Sequence, residues 1–388
     1  TLRGGDIEIS ASADSDDLYG DGDPGPFGVS ENLASLIGRQ ALLGGAPLSF
    51  ATSEILIDAG EIRADRLSLD AYAVTDANVR TTTAYSLGVA YGQTEPIAKV
   101  IIDGVAVIVT QGDLSITTEA DTQMNVTATQ NFAGISVVAN PESYTFAAGY
   151  SSLTSKAKIG SGATLTAGGD VDIKAIGLRD LSVSSSASAL ADGKSALAAA
   201  ISIGDSVVEA LLDANTTAGG NIHINADLET SRNDTEASSN IGTGFLQSKL
   251  QGSALAAPAT LFSKLLGQDT NRATQSSETE SSASGSIAFA LHDNEVSARI
   301  GSSLVDPTTV ISQAGDVQVL ANGSELPEVS SRSTITSSSG ESPLLLASFY
   351  GPGAQPGLEN TRDRSTAIAA TGGNFTTNVK AYVAEYAD

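Results

Sequence analysis

Gly169-Asp170-Val171-Asp172-Ile173-Lys174-Ala175 is the stretch on which the fold is read. Gly supplies a backbone conformation closed to most residues, and Asp offers a side-chain oxygen to a turn. Val171, Ile173 and Ala175 then alternate with Asp172 and Lys174. That period of two puts apolar groups on one face of a strand and polar groups on the other. The heptad is a turn followed by a half-buried β-strand.

Working outward, the same phrase recurs. Gly5-Asp6-Ile7-Glu8-Ile9-Ser10-Ala11, Gly112-Asp113-Leu114-Ser115-Ile116-Thr117, Gly220-Asn221-Ile222-His223-Ile224-Asn225-Ala226 and Gly315-Asp316-Val317-Gln318-Val319-Leu320-Ala321 repeat it closely. Asp65-Arg66-Leu67-Ser68-Leu69-Asp70-Ala71 and Gly373-Asn374-Phe375 are weaker copies. The anchors lie roughly 47 to 60 residues apart, with one gap of about 95. A recurring turn-and-strand unit of this period predicts a solenoid, in which each unit covers the apolar face of its neighbour. A unit near 55 residues is expected to hold two or three coils, each climbing about 4.8 Å.

Between anchors lie Ala-rich stretches such as Ser195-Ala196-Leu197-Ala198-Ala199-Ala200-Ile201-Ser202-Ile203-Gly204 and Ser286-Ile287-Ala288-Phe289-Ala290-Leu291. Alanine favours helix, but the Ser, Thr, Gly and β-branched neighbours at period two predict strand. The chain therefore reads as all-β, one continuous parallel β-helix over 1–388. Three excursions interrupt it. Residues 14–45 combine an Asp/Gly/Pro loop with a short helix over 31–43, and 240–276 carry amphipathic helices with Phe245, Leu246, Leu250, Leu261, Phe262, Leu265 and Leu266 at helical spacing. The insertion accounts for the long gap. A Pro/Gly loop spans 340–360.

Composition bounds the function. The chain has 388 residues, 39 Gly, no Cys, no Trp and a formal net charge of −25. Zero Cys excludes a disulfide-stapled fold and a thiolate metal site. The negative charge repels nucleic acid and anionic membrane surfaces, so the partners expected are cations, Ca²⁺ above all, or neutral glycans. No apolar stretch has the length of a membrane span. No signal peptide is visible at Thr1-Leu2-Arg3-Gly4-Gly5, so the sequence reads as an internal piece of something longer.

The run Gly162-Ala163-Thr164-Leu165-Thr166-Ala167-Gly168-Gly169-Asp170-Val171-Asp172-Ile173-Lys174-Ala175 resembles the repeats of large filamentous-haemagglutinin-like adhesins of Gram-negative bacteria. The resemblance covers most of the chain outside the helical insertions and the Asp-rich loop. It implies a right-handed parallel β-helix, a place at the bacterial cell surface, and adhesion to host or cell-surface glycans or proteins. It brings no catalytic residues. The function expected is a structural or adhesive shaft segment; a self-assembling filament or sheath subunit, built from copies of the chain, and a polysaccharide-active enzyme on a β-helix are the alternatives.

Candidate chemistry is sparse. Asp14, Asp16, Asp17, Asp21 and Asp23 form the one dense carboxylate cluster, and alternating Asp and Gly could wrap hard oxygens around Ca²⁺. The cluster departs from an EF-hand loop, and a solvated acidic loop explains it equally. Only two histidines occur. Alternation turns His223 outward, and His292 reads as the start of a polar turn; neither has a motif partner, so no triad and no zinc site is expected. The carboxylates are spread along turns instead of converging with Arg or Lys in a cleft, which speaks against a glycosidase or lyase. No enzyme activity and no required cofactor are expected. Tyr19, Phe27, Phe349 and Tyr350 lie in the excursions, where exposed rings could stack on sugars.

Overall fold

The computed structural model describes residues 1–15, 48–83, 87–130, 142–189, 195–241, 281–301, 308–335 and 364–384. Every regular element among them is a β-strand, and every pairing is parallel. The helix expected over 31–43, the amphipathic helices expected within 240–276 and the loop expected at 340–360 lie outside the described residues, except Asn240 and Ile241, which end a strand.

The strands form two curled sheets. The first carries β1 (Leu2–Arg3), β3 (Leu48–Ala64), β5 (Leu87–Thr110), β7 (Ser143–Ile159), β8 (Thr164–Ala167), β10 (Ser195–Leu212), β11 (Asn215–Ala218), β13 (Ser281–Ile300), β14 (Val310–Ser312) and β17 (Arg364–Val383). The second carries β2 (Asp6–Ser15), β4 (Arg66–Thr83), β6 (Leu114–Gln130), β9 (Val171–Ala189), β12 (Ile222–Ile241), β15 (Val317–Gly323) and β16 (Pro327–Ile335). The chain runs along the second sheet, crosses to the first, returns through a Gly-rich corner, and starts again one strand further along. Among the described residues, the strands at the ends of the stack are β2 and β3, the latter paired with β1 over two residues, at one end and β14, β15, β16 and β17 at the other.

One anchor phrase makes one coil, not two or three. Val171 of β9 pairs Leu114 of β6 on one side and Ile222 of β12 on the other, so equivalent positions of successive phrases are direct neighbours. Each coil is wide because its two long strands, mostly 17 to 20 residues, span about 60 Å each. The insertion between β12 and β13 leaves the stack in register, since Ile222 still pairs Val317 in the next coil. Gly373-Asn374-Phe375 is not a corner. It lies inside β17, opposite Ala290, Leu291 and His292, and only its composition imitates the phrase.

The corners explain the phrase. Asp113 Oδ1 accepts the N–H of Asp170 at 3.0 Å, Asp170 Oδ1 accepts that of Asn221 at 2.6 Å, and Asn221 Oδ1 accepts that of Asp316 at 2.9 Å. Each side chain thus ties its coil to the next. Glycine is required beside them because the coils touch backbone to backbone: a Cβ on Gly219 would stand 2.1 Å from the Gly168 carbonyl oxygen.

Alternation fills the interior. In the half of the core next to the corners, Leu67, Leu69, Leu114, Ile116, Val171, Ile173, Ile222 and Ile224 face Ile102, Ile159, Val208 and Ile300. In the other half the first sheet contributes mainly small residues, among them Ala90, Ala147, Ala198, Ala200 and Ala288, against Met124, Val126, Leu181 and Val183 of the second. The Ala-rich stretches are strands, as their period of two predicts.

Candidate functional site

Between the two apolar halves runs a polar seam. Following the register, the inward column of the second sheet reads Thr75, Thr122, Arg179, Thr230. The facing column of the first sheet reads Thr94, Ser151, Gly204, His292, Phe375. In the early coils hydroxyls serve one another, as where Thr122 Oγ1 donates to Thr94 Oγ1 at 2.8 Å. From the fourth coil onward the seam carries charge.

Arg179 sits on the inward parity of β9, after Val171, Ile173, Ala175 and Gly177, and is 1% exposed. Gly204 opposite it leaves room for the guanidinium. Nη2 donates to Ser206 Oγ, while Nη1 stands 4.0 Å from Glu325 Oε1, an ion pair rather than a hydrogen bond. Nε and Nη1 have no hydrogen-bonding partner among the described residues. Burial draws the Arg179 guanidinium down to about 10, against the opposing pull of Glu325 and Asp205.

Glu325 lies in the irregular link between β15 and β16, where β12 carries a register shift between Thr230 and Arg232. The break turns its side chain inward. Oε1 takes His292 Nδ1 at 2.7 Å and Asn233 Nδ2 at 2.9 Å; Oε2 takes Asn294 Nδ2 at 2.8 Å and Thr377 Oγ1 at 3.2 Å. Burial alone would raise its carboxyl, but the hydrogen bond from His292, the neighbouring positive charge including Arg179, and the Thr377 hydroxyl hold it below its ordinary value. On the other side of the ring His292 Nε2 lies 3.1 Å from Ser202 Oγ, and the ring meets Phe375 edge-on at 5.4 Å.

Ser202, His292 and Glu325 thus have the order of nucleophile, base and orienting carboxylate. Ser202 is fully buried and His292 is 2% exposed, so the group faces the core. What it does there is compensate charge and tie β9, β10, β12, β13, β17 and the Glu325 link together across three coils. The sequence reading of His292 as a turn residue without a partner is corrected: it is an interior strand residue with several. His223 does point outward, onto Asp172 at 2.9 Å.

Asp14 is an exposed position on β2, while Asp16, Asp17, Asp21 and Asp23 lie outside the described residues, as do Tyr19, Phe27, Phe349 and Tyr350. Among the described residues no three His, Cys, Asp or Glu side chains are grouped to hold a metal, and no helix is long and apolar enough to cross a membrane.

The two outer faces differ. That of the second sheet is polar, with Glu119, Asp121, Asp180, Asp227 and Ser184 among its outward positions. Burial, and then neighbouring carboxylates, raise Glu119, Asp121 and Asp227 above their ordinary values. The outer face of the first sheet is apolar over the first half of its long strands. Tyr91, Phe146 and Tyr150 are half-buried there, and Ile203, Phe289 and Leu291 are exposed. Sequence reasoning missed this face because it expects large side chains to fill the interior, whereas Ile203, Phe289 and Leu291 point outward.

Comparison with protein-family models, curated proteins and solved structures finds no match to this chain.

Proposed function

We propose that the chain is a structural and adhesive shaft segment of a large bacterial surface protein or extracellular fibre, coiled right-handedly as strand–crossover–strand connections nearly always are. The observation that carries this reading is the parallel stack of six coils, shifted in register only locally between Thr230 and Arg232 and between Ile57 and Ala59 among the described residues, with four successive corners tied by the Asp113–Asp170–Asn221–Asp316 chain of hydrogen bonds. Such a stack grows by addition of like coils and resists bending, which suits a spacer that holds binding surfaces away from a cell. The net charge of −25 makes nucleic acid an unsuitable partner. The partners proposed are glycans or proteins of a host or cell surface. The sealed position of Ser202 and His292 argues for structure over catalysis.

Beads coated with the chain and driven over immobilised glycans and matrix proteins test the adhesive part. Retention above uncoated beads supports it; no retention on any surface, together with cleavage of a polysaccharide, would replace it with an enzyme. The Asp14–Asp23 cluster is proposed as a Ca²⁺ loop of this shaft, and an unchanged melting curve on adding a chelator removes that assignment.

A further inference from the structure

The apolar outer face of the first sheet is a built feature. In register, its first four outward columns run through β5, β7, β10, β13 and β17: Leu87 to Ile368, Val89 to Ala370, Tyr91 to Gly372, and Gln93 to Asn374. None of these twenty positions is charged, in a chain with 45 acidic and 20 basic residues. Charge begins at the next column, with Glu95, Asp205 and Asp293. Parallel sheets are normally covered on both faces, and strands so covered read as continuous apolar runs. Leu197–Ile201 and Ile287–Leu291 are such runs, while the strands of the second sheet alternate cleanly.

We propose that this face is a self-association surface, on which two copies of the chain pack sheet against sheet. Five strands about 4.8 Å apart and four columns about 6.7 Å apart give an area of about 24 by 27 Å, or ~650 Å². That is close to the roughly 800 Å² per partner of a standard interface. Two sheet faces pack on one another at a spacing of about 10 Å, with the twist of each setting the angle between their strands. For a strongly anionic chain, an uncharged face is also where two like copies can approach. A glycan fits less well: the polar groups within the columns are Gln93, Asn374 and tyrosine hydroxyls, and the Tyr91 hydroxyl already donates to Gln93 and that of Tyr144 to Glu142. An anionic lipid surface is repelled by the bordering Glu95, Asp205 and Asp293. This inference does not depend on the adhesive reading above.

Sedimentation velocity of the full chain over a wide concentration range tests it. The expected result is a concentration-dependent species of twice the monomer mass. Ile201→Glu and Phe289→Ser, both outward and both checked for an unchanged circular-dichroism spectrum, weaken that species at least tenfold, whereas Glu119→Lys on the other sheet leaves it in place. A chain that is monomeric at every concentration overturns the proposal, as does an Ile201→Glu variant that pairs like the parent. A monomeric parent whose melting temperature falls in Ile201→Glu also overturns it, and assigns the cover to another segment of the same chain.

Discussion

Gly204 faces Arg179 across the core, and a Cβ placed on it would lie 3.2 Å from the guanidinium Nη1 and 3.3 Å from His292 Cδ2. Neither neighbour can yield freely, because Arg179 is tied to Ser206 and His292 to Ser202 and Glu325. Gly204→Val is expected to destabilise the chain by about 1–3 kcal/mol, the usual range for overpacking. The same change in an Arg179→Thr background, which restores the residue type of the neighbouring coils at Thr122 and Thr230, is expected to cost less than half as much. A double-mutant cycle on urea midpoints followed by circular dichroism measures the coupling.

Glu325 sets an acid limit. Its carboxyl lies below its ordinary 4.5 in the fold, so the folded state binds its proton more weakly than the unfolded chain. The stability this contributes is fully present above the ordinary value and is lost as pH falls through the folded value. Glu325→Gln leaves Arg179 buried without its closest carboxylate and is expected to cost about 3 kcal/mol at neutral pH. The gap between parent and variant narrows on acidification. Melting curves of both from pH 7 down to pH 3 check the difference, which cancels the opposite trend of Glu119, Asp121 and Asp227. A gap that stays constant with pH overturns the assignment.

How much of this was legible in the sequence depended on the strand. In β9 the alternation Val171, Ile173, Ala175 names the inward parity unambiguously, and continuing it to Gly177 and Arg179 already places a cation in the core. In β13 the outward residues Ile287, Phe289 and Leu291 are larger than the inward Ala288 and Ala290, so hydropathy alone gives no side for His292. Counting back from Ile300 through Ala298, Val296 and Asn294 would have given it. Glu325 was not legible, because a link between two strands turns it inward and no periodicity reaches it. The number of coils per phrase was misread because a phrase fixes a corner, and strand length between corners is set by packing.

The corner ladder makes a prediction that separates charge from hydrogen bonding. Asp170 accepts from Asn221 N–H through Oδ1, and the equivalent position one coil on is itself an Asn. Asp170→Asn keeps an acceptor and removes one of a column of like charges, so its stability is expected to stay within ~0.5 kcal/mol of the parent, with any gain largest at low salt. Asp170→Ala strands the Asn221 N–H and is expected to cost about 1–2 kcal/mol. Denaturant titrations at low and high ionic strength compare the two. Equal losses for Asn and Ala would show that the side-chain oxygen does not matter.

The corner glycines are not equivalent, and their difference tests whether backbone contact between coils is what requires them. At Gly219 a Cβ would press on the backbone of the previous coil, 2.1 Å from the Gly168 oxygen and 2.8 Å from its carbon, and a backbone cannot swing aside as a side chain can. Gly219 N also donates to Ala167 O at 2.9 Å, so the strain falls on a hydrogen bond that holds β11 to β8. At Gly5 the nearest atom to an added Cβ is Asp65 Oδ2 at 3.7 Å, an ordinary contact. Gly219→Ala is expected to lose about 3 kcal/mol, with amide-exchange protection falling first in β8, β11 and β14, where the coils must part. Gly5→Ala is expected to change stability by less than ~0.5 kcal/mol. Because coils in such a stack depend mainly on their neighbours, the loss of protection at Gly219→Ala is expected to stay within adjacent coils and leave β2 and β4 as protected as in the parent chain.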